Sequence, residues 1–282
     1  MYFGLRLFLL FSGLFSLSPI VCDAACVWRV TASNGNIMYL GGSIHGLSST
    51  DYPIPSAYNH AFDASSRLVF EDSPDVSPAT VERFYKSGFY PKNDRLKNHV
   101  DPRTYAYLCR IFALWNVPEA QFQRLRPWML LTALASAATN PLGVEGFLLR
   151  RARANRIPVS GLESFHEHME TFSGLSDKQA ELVLFETFIP QASGTPTHDQ
   201  ILSAWRRGDV ETLARLDKSS FTDLPSFRER ILEGRNRNWI PKLEGYMHSG
   251  TTYFVVAGAG HMGGPNGVLA LLQERGYRIE QI

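Results

Sequence analysis

The chain has 282 residues, 44% of them hydrophobic, and its 28 basic and 27 acidic residues give a formal net charge of +1. A chain of this length and apolar content can bury a large core, which excludes a disordered or fibrous protein. Because the two signs of charge are balanced, the chain lacks the basic surface of a nucleic-acid binder, and no nucleic-acid partner is expected.

The N-terminus has the pattern of a secretory signal peptide. Arg6 precedes an apolar stretch over residues 7–17, which a Ser-Pro pair ends, and a pair of small residues begins at Ala24. The apolar stretch is too short for a convincing membrane span. We therefore predict a signal peptide over residues 1–24, a single mature domain over residues 25–282 without a transmembrane span, and a periplasmic or secreted location.

The cysteines leave two questions open. Cys22 could accept a lipid after export, but the bulky Val21 before it disfavours that processing. Cleavage after Ala24 leaves Cys26 and Cys109 in an oxidising compartment, where a disulfide forms if their Cα atoms come within bonding range. A disulfide and two free thiols are equally compatible with the sequence.

The N-terminal part of the mature chain is rich in predicted strands. Residues 27–31 and 37–40 are β-rich runs on either side of an Asn-Gly pair, which is typical of a tight hairpin. A short helix is predicted over residues 55–64. A third strand over residues 67–70 leads directly into Glu71.

The middle of the chain is mostly helical in pattern. Residues 79–247 have apolar side chains at three- and four-residue spacing, interrupted by one short predicted strand over residues 157–160. The C-terminal stretch returns to a strand over residues 253–257, a glycine turn, a helix over residues 268–273 and a strand over residues 277–281. This order predicts an α/β fold, with a β-sheet core built from N- and C-terminal segments and a large, mostly helical middle.

The C-terminal glycine turn has two interpretations. Gly258, Gly260 and Gly263 match the spacing of a dinucleotide-binding loop, and Glu280 lies where a ribose-binding acid is expected. A dinucleotide fold also needs further strand-helix-strand units, and the N-terminal half has no regular alternation of strand and helix to supply them. The nucleotide interpretation is therefore the weaker one.

The stronger interpretation is a metal site. His45 and His261 each follow a glycine by three residues at the end of an apolar strand, and Glu71 ends a third strand. Open α/β sheets bind ligands at the carboxyl ends of their strands, so these side chains are expected to converge. Two neutral imidazoles and a carboxylate can hold a divalent ion such as Mn, Co or Zn and leave positions for water and substrate. Glu71 is then either the third ligand or the general base that acts on the water.

These motifs resemble those of a known family when they are taken together and in order. The paired G-x-x-H motifs, "LVFE", "GLES", "GRNRNW" and the ending "VVAGAGHMGGPNGVLALLQERGY" resemble the TraB/GumN family from about Trp28 to Ile282. That family includes the Tiki membrane proteases, which trim Wnt proteins in a metal-dependent way. The resemblance implies that His45, Glu71 and His261 are metal-binding positions.

The resemblance also implies roles for an Arg-Asn pair and a further carboxylate. Arg235 and Asn236 match the family's "RN" pair, and we predict them, with Glu71, as catalytic residues. Arg235 could donate a bidentate hydrogen bond to a carboxylate or to a developing oxyanion, the alternative being an arginine in a surface ion pair. Glu163 in "GLES" is also matched, and helix-capping, supporting and direct catalytic roles all remain open for it.

Two other charged stretches are predicted to be solvated helix faces. "HEHME", which begins at His166, differs from a zinc-binding H-E-x-x-H motif at its fifth position, and "LLRRARANR" is a basic helix face.

The sequence as a whole predicts an exported metal-dependent hydrolase, a peptidase acting on a peptide or protein substrate. The alternative is a non-catalytic envelope or polysaccharide-assembly factor on the same scaffold, because the GumN name is associated with exopolysaccharide gene clusters.

Overall fold

The computed structural model describes residues 25–137, 142–188 and 196–282. Within these ranges, one sheet contains six strands, which are β1 (Val27–Thr31), β2 (Ile37–Ser43), β3 (Arg67–Asp72), β4 (Val159–Glu163), β5 (Tyr253–Gly258) and β6 (Arg278–Gln281). The predicted hairpin joins β1 to β2, and Gly35 in its turn has a φ of +86°, a left-handed conformation that glycine adopts without steric cost. Asn36 donates its backbone N–H to Asn34 Oδ1 at 3.0 Å and stabilises the same turn.

The order of the strands is β4-β3-β5-β2-β1-β6. The first four are parallel to one another, whereas β1 pairs antiparallel with both β2 and β6. At the carboxyl ends, Ser43 is in register with Gly258, and Asp72 is in register with Glu163. The sheet therefore presents the ends of four parallel strands along one edge, where α/β sheets bind their ligands. The predicted α/β class, with strands from both ends of the chain, is confirmed.

Thirteen α-helical segments lie in the described ranges, and most of them belong to the middle of the chain. They are α1 (Ser56–Asp63), α2 (Pro78–Ser87), α3 (Pro102–Leu114), α4 (Glu119–Phe122), α5 (Pro127–Ala137), α6 (Val144–Asn155), α7 (Phe165–Ser173), α8 (Asp177–Phe188), α9 (His198–Arg206), α10 (Val210–Ser220), α11 (Pro225–Arg228), α12 (Gly234–His248) and α13 (Val268–Gln273). A π-helical segment, Glu229–Glu233, leads directly into α12. Such segments are rare and are frequently found at functional sites.

The buried apolar side chains of the described residues form two hydrophobic clusters. The first surrounds the sheet and includes Leu40, Val69 and Val255, each at most 1% exposed. The second is helical and includes Leu108 of α3 and Trp128 of α5. A deep cavity has walls from both clusters, and the ends of the parallel strands form its floor.

The possible disulfide between Cys26 and Cys109 is not formed. Cys26 is buried in the sheet cluster and Cys109 is half-buried among the helices, and both are free thiols. The predicted signal peptide over residues 1–24 lies outside the described residues. Among the helices of the described ranges, none has both the length and the apolarity needed to cross a membrane.

Candidate functional site

A cavity of about 1010 Å³ opens at the carboxyl edge of the sheet. Its lining includes His45, Glu71 and His261, the three predicted metal ligands, together with Arg235 of α12. Three different strand ends deliver the ligands, because β2 leads to His45, β3 carries Glu71 and β5 leads to His261. Asn236 is only 2% exposed and is not one of the lining residues.

A hydrogen bond with Asn236 fixes the orientation of the His261 ring. Its Nδ1 lies 2.6 Å from Asn236 Oδ1, while the amide nitrogen of Asn236 donates to the carbonyl oxygens of Asn266 and of His261 itself. With its nitrogen used on two carbonyls, the amide presents only its oxygen to the imidazole, so Nδ1 carries the proton. His261 Nε2 is therefore an acceptor, as its 3.3 Å distance to Arg235 Nη1 also requires. Burial, in the first place, lowers the pKa of His261 to about 4.

Glu71 is held by two donors that approach different oxygens. Arg235 Nη2 donates to Glu71 Oε2 at 2.6 Å, and the backbone N–H of Gly258 donates to Oε1 at 2.7 Å. Burial by itself raises the pKa of Glu71, but the positive charges of protonated His261 and of Arg235, with the Gly258 N–H, outweigh burial and hold the pKa well below the ordinary carboxyl range. Glu71 is consequently an anion and a weak proton acceptor at neutral pH.

Arg235 joins the ends of β3 and β4 through two carboxylates. Besides Glu71, it donates from Nε to Glu163 Oε1 at 2.9 Å and from Nη2 to Glu163 Oε2 at 3.0 Å, which is bidentate recognition of a carboxylate. Trp239 Nε1 donates to Glu163 Oε1 at 2.7 Å, and the guanidinium lies over the Trp239 ring. The Arg235 side chain is 12% exposed, so the alternative of a surface ion pair is wrong. Glu163 supports Arg235, while Ser164 provides the N-cap of α7.

His45 has a different partner. Its Nδ1 lies 3.1 Å from Glu145 Oε1 in α6, and the same carboxylate oxygen accepts a hydrogen bond from the Ser43 hydroxyl. The hydrogen bond to Glu145 raises the pKa of His45 to about 9, although burial works in the opposite direction. The Glu145 bond to Nδ1 leaves Nε2 as the nitrogen that faces the other two predicted ligands.

The missing side chain of Gly258 leaves the space that the three predicted ligands share. A Cβ at this position would lie 3.2 Å from Glu71 Oε1, 3.7 Å from His261 Cδ2 and 4.0 Å from His45 Nε2. Gly258 has a φ of −48°, so it is needed here for room and not for an unusual backbone conformation. The two G-x-x-H loops also pack directly, since a Cβ on Gly42 would lie 3.2 Å from Ala259 Cα.

The shared space is not a ready-made metal cluster. Within the described ranges, no three His, Cys, Asp or Glu side chains are grouped closely enough to hold a metal ion as they stand. The reason is visible at Glu71, which directs one oxygen to Arg235 and the other to Gly258. The predicted convergence on one cavity is observed, and metal binding stays a prediction.

His168 was misinterpreted from the sequence. It was assigned to a solvated helix face, but it lines the cavity, with Nδ1 at 3.0 Å from Arg235 Nη2 and 3.5 Å from Glu163 Oε2. His166, two residues earlier in α7, is exposed as predicted. Glu145, the partner of His45, was not predicted from the sequence. The sequence did contain a signal for His168. Ser164, the N-cap of α7, directly follows Glu163 at the end of a strand, so the first turn of this helix starts beside the site.

The geometry of the C-terminal glycine turn does not favour the nucleotide interpretation. After β5 the chain forms a short 3₁₀ turn, Ala259–His261, and α13 begins only at Val268. A dinucleotide loop instead places a helix N-terminus immediately after the strand, where its N–H groups meet the pyrophosphate.

The chain is similar to known metalloproteases. It is 23% identical over 308 residues to the metalloprotease TIKI2 of Danio rerio, covering 86% of this chain and 58% of that protein. It is also 23% identical over 302 residues to the metalloprotease TIKI1 of Homo sapiens, covering 86% of this chain and 59% of that protein. The chain thus spans less than two thirds of the length of either relative. No solved structure matches it significantly. A model of the TraB/PrgY/gumN family matches residues 26–281, and the chain therefore belongs to that family.

Proposed function

We propose that this protein is an exported metal-dependent hydrolase that cleaves peptides. The observation that carries the proposal is the meeting of His45, Glu71 and His261, from three strand ends, around the space left by Gly258. The relatives named as metalloproteases support hydrolysis of a peptide bond as the reaction.

The chemistry of these side chains fits a divalent ion. Two imidazoles and one carboxylate are ligands suited to Zn, Mn or Co, and three protein ligands leave positions for water and substrate. All three side chains come within 4.0 Å of the position that a Cβ on Gly258 would occupy. A bound ion would supply Lewis acidity and a water of lowered pKa.

The surrounding residues prepare the ligands. Asn236 fixes the tautomer of His261 so that Nε2 keeps its lone pair, and Glu145 does the same for His45, which would give up its Nε2 proton on binding a metal. Arg235 keeps Glu71 anionic. Because each nitrogen of Arg235 already faces an acceptor, we assign it to holding carboxylates rather than to an oxyanion.

The assignments of Asn236 and Glu71 follow from their contacts. Asn236 touches His261 and not the cavity, so it acts through the histidine as a positioning residue. Glu71, with a strongly depressed pKa, is a weak proton acceptor, so we assign it as a ligand rather than as the general base.

We also propose export and a single mature domain over residues 25–282. The support is the sequence pattern around Arg6 and Ala24 and the family match that begins at residue 26. N-terminal sequencing of secreted or periplasmic material should begin near Ala25, and recovery of intact Met1 from the cytoplasm would contradict export.

The test of the hydrolase is metal analysis of the purified mature protein, followed by digestion of an unbiased peptide mixture with and without a chelator. We expect about one bound divalent ion and chelator-sensitive cleavage. His261→Ala and Glu71→Gln should both abolish cleavage, and His261→Ala should remove the metal while the circular dichroism spectrum is retained. His248→Ala is the matched control, because His248 is exposed at the end of α12 and outside the cavity.

Other outcomes would separate the alternatives. Bound metal without cleavage of any peptide would favour the non-catalytic envelope factor on the same scaffold. Calorimetry could instead show that the wild type and His261→Ala both bind a nicotinamide dinucleotide and that neither binds a metal. That result would overturn the metal proposal and restore the nucleotide interpretation.

A further inference from the structure

The walls of the cavity are strongly apolar above a polar floor. Helices α2, α5, α7 and α10 contribute Val81, Phe84, Met129, Phe165, Phe172 and Leu216 to these walls. At about 1010 Å³ the cavity is at the upper end of the size of small-molecule sites, so it has room for several residues of a peptide. Apolar walls favour apolar side chains, because their burial removes hydrocarbon from water.

The charges that face this cavity are mostly negative. Arg235 is the only Lys or Arg among the described lining residues, and Glu71 and Glu163 already neutralise it. His45 and Glu145 line the cavity as an ion pair of opposite charges, and Asp72 and Asp217 also line it. Asp72 has no ion pair with Lys or Arg in the described ranges, so an anionic occupant would meet unbalanced carboxylates.

Asp217 is the carboxylate placed beside the predicted reaction centre. Its Oδ1 lies 3.5 Å from the point where a Cβ on Gly260 would stand, and Gly260 is adjacent to His261. Its Oδ2 accepts from Arg228 Nε at 3.2 Å. Arg228 also pairs with Glu233, so one guanidinium serves two carboxylates and the trio keeps a charge of −1.

The second oxygen of Asp217 is available to a ligand. Among the described residues, the only hydrogen bond to its side chain is the one from Arg228 to Oδ2, and the glycine opposite Oδ1 leaves room for a donor. The side chain is only 20% exposed, so a cation that reaches it leaves much of its water and gains from the low local dielectric.

We propose that the cavity binds an apolar peptide segment carrying one positive charge, and that Asp217 recognises this charge next to the bond to be cleaved. The proposal rests on the proposed function in taking the occupant to be a peptide. Neutral sugars would find few hydrogen-bonding groups on the apolar walls, and acidic polymers would be repelled by the carboxylates. Lysine and arginine side chains and a free amino terminus share the required chemistry.

The test measures binding by fluorescence anisotropy with metal-free protein, so that it does not depend on hydrolysis. The probes are labelled hexapeptides of Leu and Phe, blocked at both ends, in which one position is Lys, norleucine or Glu. We expect the Lys peptide to bind at least tenfold more tightly than the norleucine peptide when the Lys is at one preferred position, and the Glu peptide to bind most weakly.

A matched pair of variants assigns the charge recognition to Asp217. Asp217→Asn should remove the advantage of Lys over norleucine while leaving the norleucine peptide bound as before. Asp223→Asn, an exposed aspartate outside the cavity lining, should retain the advantage. An unblocked norleucine peptide compares a free amino terminus with the Lys side chain as the source of the charge.

The outcomes separate this proposal from the hydrolase itself. Equal binding of the Lys, norleucine and Glu peptides, or an Asp217→Asn variant that keeps the full Lys advantage, would overturn it, as would tighter binding of an oligosaccharide than of any peptide. The expected binding pattern together with no cleavage after metal addition would support the charge recognition and contradict the hydrolase.

Discussion

The loops that carry His45 and His261 have the same Gly-x-x-His spacing, and each follows a parallel strand. The His45 side chain is 51% exposed and bonds an anionic partner, Glu145, whereas the His261 side chain is 5% exposed and bonds a neutral amide, Asn236. The hydrogen bond with Glu145 raises the pKa of His45 to about 9, and burial lowers that of His261 to about 4.

The comparison teaches that burial and the groups around each ring, and not the loop motif, decide the protonation of each histidine. Glu145 and Asn236 both hold Nδ1, so both imidazoles present Nε2 to the shared space. The cation of Arg235 lies beside His261 alone, since it is 3.3 Å from His261 Nε2, and it opposes protonation there. Exchanging or removing these partners tests the difference between the loops.

Removing Arg235 has the largest expected effect. Arg235→Ala leaves Glu71 and Glu163, whose side chains are 13% and 8% exposed, without their cation. Loss of one partner of a buried ion pair typically costs about 3–5 kcal/mol, and we expect a loss in that range in urea unfolding. Arg29→Ala, which breaks an ion pair with the exposed Glu280, should cost less than about 1 kcal/mol. Similar losses of unfolding free energy in the two variants would show that Arg235 does not stabilise the fold through Glu71 and Glu163.

Asn236→Asp would make the His261 loop resemble the His45 loop. The carboxylate should raise the pKa of His261 from about 4 to above its ordinary value, as Glu145 does for His45. The variant also loses two donated hydrogen bonds, to the carbonyls of His261 and Asn266, at a cost of about 2 kcal/mol. Titration of the histidine ring resonances by NMR measures the pKa, and an unchanged His261 would refute the role given to its partner.

The acid sensitivity of the Arg235 cluster comes next in size. Burial raises the pKa of Glu163, but hydrogen bonds from His168 and Arg235 outweigh burial and lower the pKa to about 2. A depressed carboxyl pKa stabilises the fold above the unfolded value of about 4.5, and this stabilisation disappears as the pH falls from there through about 2. Between pH 6 and pH 3.5 we expect Glu163 to account for a loss of about 1 kcal/mol, measured as the difference in urea unfolding between wild type and Glu163→Gln. A loss that persists unchanged in the variant would assign the effect to other groups.

Measured at about pH 10, above the pKa of His45, Glu145→Gln has the smallest expected effect on stability, below about 0.5 kcal/mol, because the half-exposed His45 is neutral there and no ion pair is lost. Its effect on the histidine is specific, since the pKa of His45 should fall from about 9 towards its ordinary value while that of His261 does not move. The same NMR titration follows both rings. A fall in the pKa of His261 in this variant would mean that the two loops are electrostatically coupled.

The helices and strands that the sequence predicts are present in the structure, and the predicted bounds differ most from the observed ones at the ends of strands. β1 and α13 have the predicted bounds, but β2 and β3 continue to Ser43 and Asp72, beyond the predicted residues 40 and 70. The extra residues of β2 pair with β5 through Gly41, Gly42 and Ser43. Glycines have little intrinsic preference for strands, and the hydrogen bonds of the neighbouring strand keep them extended. The strand predicted over residues 157–160 is displaced to Val159–Glu163 for the same reason, through its pairing with β3.

The sequence by itself determined the α/β class, the hairpin and the two Gly-x-x-His loops, because apolar periodicity and glycine spacing are local properties of the chain. Only the tertiary structure decided which groups surround His45, Glu71 and His261. Glu145 lies 102 residues from Ser43 and Arg235 lies 164 residues from Glu71. Helix α7, which brings His168 to Arg235, packs against α5, β3 and β4. Protonation and charge at the site depend on burial and on these distant partners, which no local pattern encodes.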